Sequence, residues 1–310
     1  LTKDDKWKSR AITYTEKLDT IQYWGGNHDV GFIIEGSYGN ALKYSDSKAY
    51  DSIIVRTAQS LSTRFRPKAG IIQSWEANQK WKCPVIIDNM MNLELLFHAT
   101  KISGDSTYYN IAVTHANTTL KNHFRKDFSS VHVVDYDPET GEVLQKNTHQ
   151  GYSDDSAWSR GQSWGLYGYT VCYRETKDPK YLEQARHIAN FIETNPNLPD
   201  DQIPYWDYNV PKDKDTPRDA SAAAIMASAL YELSTYVDQK EGKEYVEWAN
   251  KIMASLSSPK YLAEGGTNEG FLLKHCGGHL PGNLEIDVPL NYADYYFLEA
   301  LSRKGNLENK

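Results

Sequence analysis

Cysteine is scarce. Cys83, Cys172 and Cys276 are the only three in 310 residues, far apart and never in a Cys-x-x-Cys pair, so neither a disulfide framework nor a zinc cluster is signalled. Long hydrophobic runs are missing too. No stretch reaches the ~18 apolar residues of a membrane-spanning helix, and the opening Leu1-Thr2-Lys3-Asp4-Asp5 is too polar for a signal peptide, which leaves periplasm and cytoplasm both open. Positive charge is in deficit: a net charge of −7 without a basic stripe removes the footprint that nucleic acid or an anionic membrane surface requires. Neither is an expected partner. Gly and Pro are scattered, and no linker-like or low-complexity tract marks a boundary, so residues 1–310 read as one domain near the ceiling for a single core.

Aromatic residues are what the chain has in quantity, with 22 Tyr and 8 Trp. Flat rings suit the C–H face of a pyranose. They also fill helix-packed cores, each burying roughly 150–250 Å², so their number alone does not separate sugar binding from packing.

A corner motif recurs, an acidic residue followed by an aromatic and then alanines at helical spacing. Asp105 leads to Tyr109, Ala112 and Ala116; Asp178 leads to Tyr181, Ala185 and Ala189; Asp46 with Tyr50, Glu241 with Tyr245 and Asp5 with Trp7 repeat the theme. Each is expected to open a one-sided helix. Between the corners lie helices apolar or small over most of their circumference, such as Met90 to Ala99 and Ala220 to Leu230, which read as buried on both sides. Hairpins alternating the two kinds predict an all-α fold, an (α/α)6 toroid of six hairpins with an inner and an outer ring. Periodicity gives about five outer helices, near Lys6, Lys48, Thr107, Lys180 and Lys243, and about five inner ones, near Phe32, Met91, Trp158, Ala222 and Asp294. That count implies a ring lacking its N-terminal hairpin and open between its first and last helices. Only Val131–Tyr136, ahead of the turn Asp137-Pro138-Glu139-Thr140-Gly141, reads as a short β-hairpin.

Parallel inner helices would bring their N-terminal ends to one mouth, and several begin with Asp: Asp29, Asp88, Asp154-Asp155 and Asp219. Helix capping is the competing explanation for each. Two stand apart. Asp88 follows Val85-Ile86-Ile87, an apolar setting that favours a protonated carboxyl, and Asp29 lies in Asn27-His28-Asp29 beside Gly25, Gly26 and Gly31. One neutral and one charged carboxyl suit acid/base sugar chemistry. Trp75 is a candidate for lining the mouth, and His132 lies on the short hairpin. Arg160, on a helix expected to be buried, requires a protein aspartate or a substrate carboxylate. His275 and His279 are four apart, but Gly277, Gly278 and Pro281 argue against the helix that would aim both at one metal, so no metal is expected. Gly161-Gln162-Ser163-Trp164-Gly165 has the spacing of a nucleophile elbow but lacks the strand that should precede it.

The motifs Asn27–Phe32, Ile71–Trp75, Ile86–Leu93, Thr148-His149-Gln150-Gly151, Ser156–Gly165, Tyr205-Trp206-Asp207, Asn268–Phe271 and Tyr292–Leu301, in that order, resemble the unsaturated glucuronyl hydrolases across essentially the whole chain. The resemblance implies a six-hairpin barrel that removes a 4,5-unsaturated uronic acid from the non-reducing end of oligosaccharides left by polysaccharide lyases. It matches the family's two essential aspartates to Asp29 and Asp88, and its substrate-contacting residues to His132, Gln150 and Arg160. The family's stacking tryptophans are similar to Trp75, Trp158 and Trp164. No cofactor is implied, and the family's upstream Trp-bearing helix has no counterpart here. Alternatives are an unsaturated rhamnogalacturonyl hydrolase, a sugar epimerase with paired His bases, and a non-catalytic glycan-binding toroid. The loop Lys274–Gly282 is either a solvated loop or a source of positive charge near a substrate sulfate.

Overall fold

Where a short polar side chain can fold back onto the first free N–H groups, a helix starts. In the computed structural model, which describes residues 4–309, this rule sets the start of six helices. The chain forms two compact units, Leu1–Asn122 with Asp135–Gln145, and His123–Val134 with Lys146–Lys310.

In the first unit, helix α1 (Asp5–Glu16) is capped by Asp4 and buries no side chain, leaving Trp7 and Tyr14 exposed. Helix α2 (Val30–Ile34) continues through a π-turn, Glu35–Gly39, into α3 (Asn40–Leu42). Helix α4 (Lys48–Ser62) is capped by Ser47, whose hydroxyl accepts from the Tyr50 N–H. The expected corner acid Asp46 is thus one residue outside the cap. Strands β1 (Phe65–Arg66) and β2 (Ile71–Ile72) pair antiparallel around Gly70, whose φ of +68° suits glycine. Strand β3 (Pro84–Ile86) runs into a 3₁₀ turn, Ile87–Asn92, and then α5 (Leu93–Ser103), which Gly104 ends in a left-handed cap. Asp105 accepts from the Thr107 N–H at the start of α6 (Ser106–Asn122). Helices α2, α4 and α5 pack on one another, and α6 packs on α5. The expected hairpin forms, β4 (Val133–Tyr136) and β5 (Val143–Asn147) in the sheet order β3-β4-β5, with its Asp135–Gln145 part belonging to this unit.

In the second unit, α7 (Ser159–Thr176) is buried on all sides from Ser159 to Cys172. Helix α8 (Pro179–Glu193) takes Asp178 as its cap and proline at its first position. Nearly every residue of α9 (Ala220–Leu233) is buried, between α7, α10 (Gln239–Leu256) and α11 (Asn291–Glu308). Asp238, not Glu241, caps α10; Glu241 sits inside the first turn and accepts from the Tyr245 hydroxyl. Helix α11 buries Ala293, Tyr296, Phe297 and Ala300 but exposes Leu298 and Leu301, so it is one-sided where an inner helix was expected. The sequence reading also misses the hairpin of β6 (Cys276–His279) and β7 (Leu284–Val288), because Cys-Gly-Gly-His carries no alternating pattern.

Candidate active site

In the first unit, Asp29 occupies the N-cap position of α2 without making a side-chain capping bond, and its carboxylate is 46% exposed. Asp88 is the second residue of its 3₁₀ turn, half-buried, directly after the buried Val85, Ile86 and Ile87. The apolar run that distinguishes Asp88 in sequence is therefore packed as core. Amides and an imidazole fill the space around these two segments. His28 Nε2 lies 3.3 Å from Asp29 Oδ1, and His28 Nδ1 lies 3.4 Å from Asn92 Nδ2. Asn92 Nδ2 also donates to Asn89 Oδ1 at 3.0 Å, and Asn89 Nδ2 donates to the Ile72 carbonyl at 2.5 Å. Gly31 makes this possible: a Cβ there would lie 2.8 Å from Asn92 Oδ1 and 2.9 Å from Asn92 Cβ. Trp75 is partly exposed, edge-on to Trp81 at 5.4 Å, and its carbonyl accepts from the Gln73 side chain.

In the second unit the structure brings His132, Gln150, Trp158 and Arg160 together. His132 Nδ1 accepts from the backbone N–H groups of His149 and Gln150, each at 3.0 Å, and its ring lies 4.6 Å from Trp158. Burial, followed by the nearby His149, Arg160, His123 and His279, pushes the His132 pKa well below the ordinary range. It is a neutral imidazole whose remaining hydrogen is on Nε2. Gln150 Nε2 donates to the Gly278 carbonyl. Arg160 is consumed by protein groups: it pairs with the fully buried Asp219 at 3.1 Å, donates to the Gly277 and Gly278 carbonyls, and lies over the Trp158 and Tyr292 rings. Trp164 is buried, edge-to-face with Tyr296 and tilted against Tyr292. Asp219 also caps α9 through the Ser221 and Ala222 N–H groups. Asp207, fully buried, accepts from the Tyr152 N–H and the Ser156 hydroxyl, so it shapes the segment carrying His149 and Gln150.

The sequence matches Glycosyl Hydrolase Family 88 over residues 9–297. The chain belongs to that family. An unsaturated glucuronyl hydrolase from Formosa agariphila is 49% identical over 99% of the chain and 76% of its own length. A crystal structure described as an unsaturated glucuronyl hydrolase specific for heparin is 50% identical, with a TM-score of 0.96 over 99% of this chain and 82% of that one. An unsaturated chondroitin disaccharide hydrolase from Streptococcus pneumoniae is 34% identical over 89% of the chain and 70% of its own length. The family 88 chain is a glycoside hydrolase of the unsaturated glucuronyl hydrolase type, and its fold class is the all-α, α/α-hairpin toroid of those relatives.

Other signals in this family 88 chain find structural roles. Ser163 lies mid-helix and donates to the Ser159 and Ala222 carbonyls, bonds that close α7 on itself and onto α9. His275 pairs with Asp287 at 2.7 Å, while His279 Nε2 lies 3.0 Å from the His149 carbonyl, so the two imidazoles serve different neighbours. The Lys274–Gly282 segment is not a purely solvated loop: Cys276, Gly277 and Gly278 are buried, and Arg160 and Gln150 hold the carbonyls of the two glycines. Sequence reading found Arg160 and required a protein aspartate or a substrate carboxylate for it, but it left Asp219 between the mouth and a cap and did not pair the two. Asn89, Asn92 and Asp207 carried no signal beyond lying inside quoted motifs.

Proposed function

We propose that this chain removes a 4,5-unsaturated uronic acid from the non-reducing end of lyase-generated, glycosaminoglycan-type oligosaccharides by hydrating the C4=C5 bond. One observation carries the reading: in a family 88 chain, Asp29 stands at the N-cap position of its helix without a side-chain capping bond, whereas Asp219 caps its own. The substrate's double bond is an enol ether. Asp88 protonates C4, which leaves a cation at C5 shared with the ring oxygen, and water, deprotonated by the same carboxylate, adds at C5. The hemiketal then opens to a ketone at C5, returning the ring oxygen to C1 as a hydroxyl, and C1 expels the neighbouring sugar. Asp29 positions the unsaturated sugar and stabilises the developing positive charge. Protein carboxylates and water suffice for these steps.

His132, Gln150, Trp75, Trp158 and Trp164 are the residues proposed to contact the substrate, with Arg160 as a positioning residue among them. His132 is suited to donating through Nε2, because its Nδ1 already accepts two backbone hydrogens. Trp75, the most exposed of the three tryptophans, has the most ring surface for a pyranose face. Arg160 shapes the set through Asp219 and the Gly277-Gly278 carbonyls.

Isotopes test the route. Turnover of an unsaturated disaccharide from a heparin-lyase digest, and of its chondroitin counterpart, is followed by loss of the ultraviolet absorbance of the conjugated double bond. In deuterium oxide, early-sampled product carries deuterium at C4, and in ¹⁸O-labelled water the new oxygen enters at C5. Early ¹⁸O at the anomeric carbon with the C4=C5 bond intact would mean ordinary glycoside hydrolysis and would overturn the reading. Asp88→Asn keeps the shape but cannot deliver a proton, so it should bind substrate and fail to turn it over.

A further inference from the structure

The buried amides between the Asp29 and Asp88 segments have only one consistent set of hydrogens. The Phe32 backbone N–H can only donate, and it points at Asn92 Oδ1 from 2.8 Å. That fixes the Asn92 carboxamide, so the group facing Asn89 Oδ1 at 3.0 Å and His28 Nδ1 at 3.4 Å is the NH₂. An NH₂ has no acceptor to offer. His28 Nδ1 must therefore be the acceptor, and the ring hydrogen belongs on Nε2, 3.3 Å from Asp29 Oδ1. Asn89 is fixed in the same way, because its NH₂ is committed to the Ile72 carbonyl and its oxygen is left for Asn92. The Ile72 N–H in turn donates to His115 Nδ1 on α6 at 3.0 Å. His28 is 4% exposed, and Asn89 and Asn92 are fully buried. Polar groups at that depth are costly unless each is satisfied, and once satisfied they hold a single geometry.

We propose that His28 is a positioning residue for the reaction. Asn92 holds its ring with Nδ1 as the acceptor and the hydrogen on Nε2, that edge of the ring lies 3.3 Å from Asp29 Oδ1 and limits where the carboxylate can sit, and the Asn89–Asn92 bond ties the orientation to the segment that carries Asp88. The role rests on the assignment of Asp29 and Asp88 to the chemistry. His28 itself moves no proton, since the Asn92 NH₂ leaves no room for a second ring hydrogen at Nδ1.

The test combines three variants with a spectrum. His28→Ala should lower kcat by roughly 10²-fold while KM stays within about threefold, the scale of losing a partner that orients an acid/base group. His28→Gln, whose amide nitrogen reaches the Nε2 position, should recover most of that loss. A side chain needed only for folding would instead show its effect in the melting temperature, with no split between kcat and KM. In the wild-type protein, ¹⁵N NMR of labelled histidine should show His28 with a bare Nδ1 and a protonated Nε2. A protonated Nδ1 overturns the proposal, and so does a folded His28→Gln as impaired as His28→Ala. Asp29→Asn separates the two layers of the argument. If it is inactive while His28→Ala keeps wild-type kcat, the positioning role falls and the assignment of Asp29 stands; if Asp29→Asn itself turns over normally, the assignment falls and takes the positioning role with it.

Discussion

Two helices in different units begin at an aspartate, and the two aspartates do opposite things. Asp219 is fully buried, accepts from the Ser221 and Ala222 N–H groups through Oδ1 at the start of α9, and pairs with Arg160 through Oδ2. Asp29 sits at the corresponding position of α2, half-exposed, with no capping bond and the His28 imidazole 3.3 Å away. Burial and partners fix the first as framework. For the second, solvent access and a helix start made without its side chain are what its proposed role requires. The lesson is that an aspartate at a helix N-terminus is structural when its oxygens are used up by the chain, and a candidate for chemistry when the helix starts without its help.

The largest effects should separate the two residues cleanly. Asp29→Asn and Asp88→Asn are expected to reduce kcat by about 10³-fold or more while leaving the unfolding temperature nearly unchanged. Asp219→Ala should do the reverse in origin: removing one partner of a buried pair leaves Arg160 uncompensated and costs roughly 3–5 kcal/mol of stability, with about 1 kcal/mol more from the lost cap. Urea unfolding and steady-state kinetics on the same three proteins check this. Wild-type stability for Asp219→Ala would break the comparison.

How much of this was readable from sequence follows the range of the interaction. The helix runs are visible because periodicity and caps act within a few residues: Asp105, Asp178 and Asp219 were recognised as helix starts, and each accepts an N–H two residues on. Where two polar residues compete nearby, sequence chooses wrongly. Ser47 displaces Asp46, and Asp238 displaces Glu241, because only a side chain at the N-cap position reaches the N–H groups of the next two or three residues. Asp88 stood out through its own neighbours, Val85, Ile86 and Ile87. The partners that define the sites did not, since Arg160 meets Asp219 across 59 residues and Phe32 meets Asn92 across 60. Strand β6 was invisible for the same reason. Its buried glycine carbonyls are held by Arg160 and Gln150, not by any pattern in its own residues.

Smaller changes sharpen the contrast between framework and site. Arg160→Lys keeps the charge but loses the planar fork that reaches Asp219 and two carbonyls at once, so a loss of roughly 1.5–3 kcal/mol in stability is expected, with an accompanying fall in activity. A lysine variant with unchanged stability and kinetics would remove Arg160 from both roles. Gly31→Ala should cost about 1–3 kcal/mol, because the new methyl group collides with Asn92 and must displace it from the Phe32 N–H. The same variant should lose activity in kcat, since the displaced carboxamide is the one that fixes His28.

The smallest effect concerns the π-turn that continues the Asp29 helix, where a carboxylate is again fully used. Glu35 accepts from His98 Nδ1 through both oxygens, at 3.0 and 3.1 Å. That hydrogen bond, opposed by burial, raises the His98 pKa above its ordinary value. The sign follows from linkage: a histidine whose folded pKa is raised contributes stability that is fully present below the unfolded pKa of about 6.5, and that contribution disappears as the pH rises through the folded value. The gap in melting temperature between wild type and His98→Gln should therefore be wider at about pH 5.5 than at about pH 8.5. A gap that stays constant or widens toward alkaline pH would show that Glu35 and His98 meet as neutral packing partners, and the π-turn would then lack the charged anchor that sets it apart from the open start of α2.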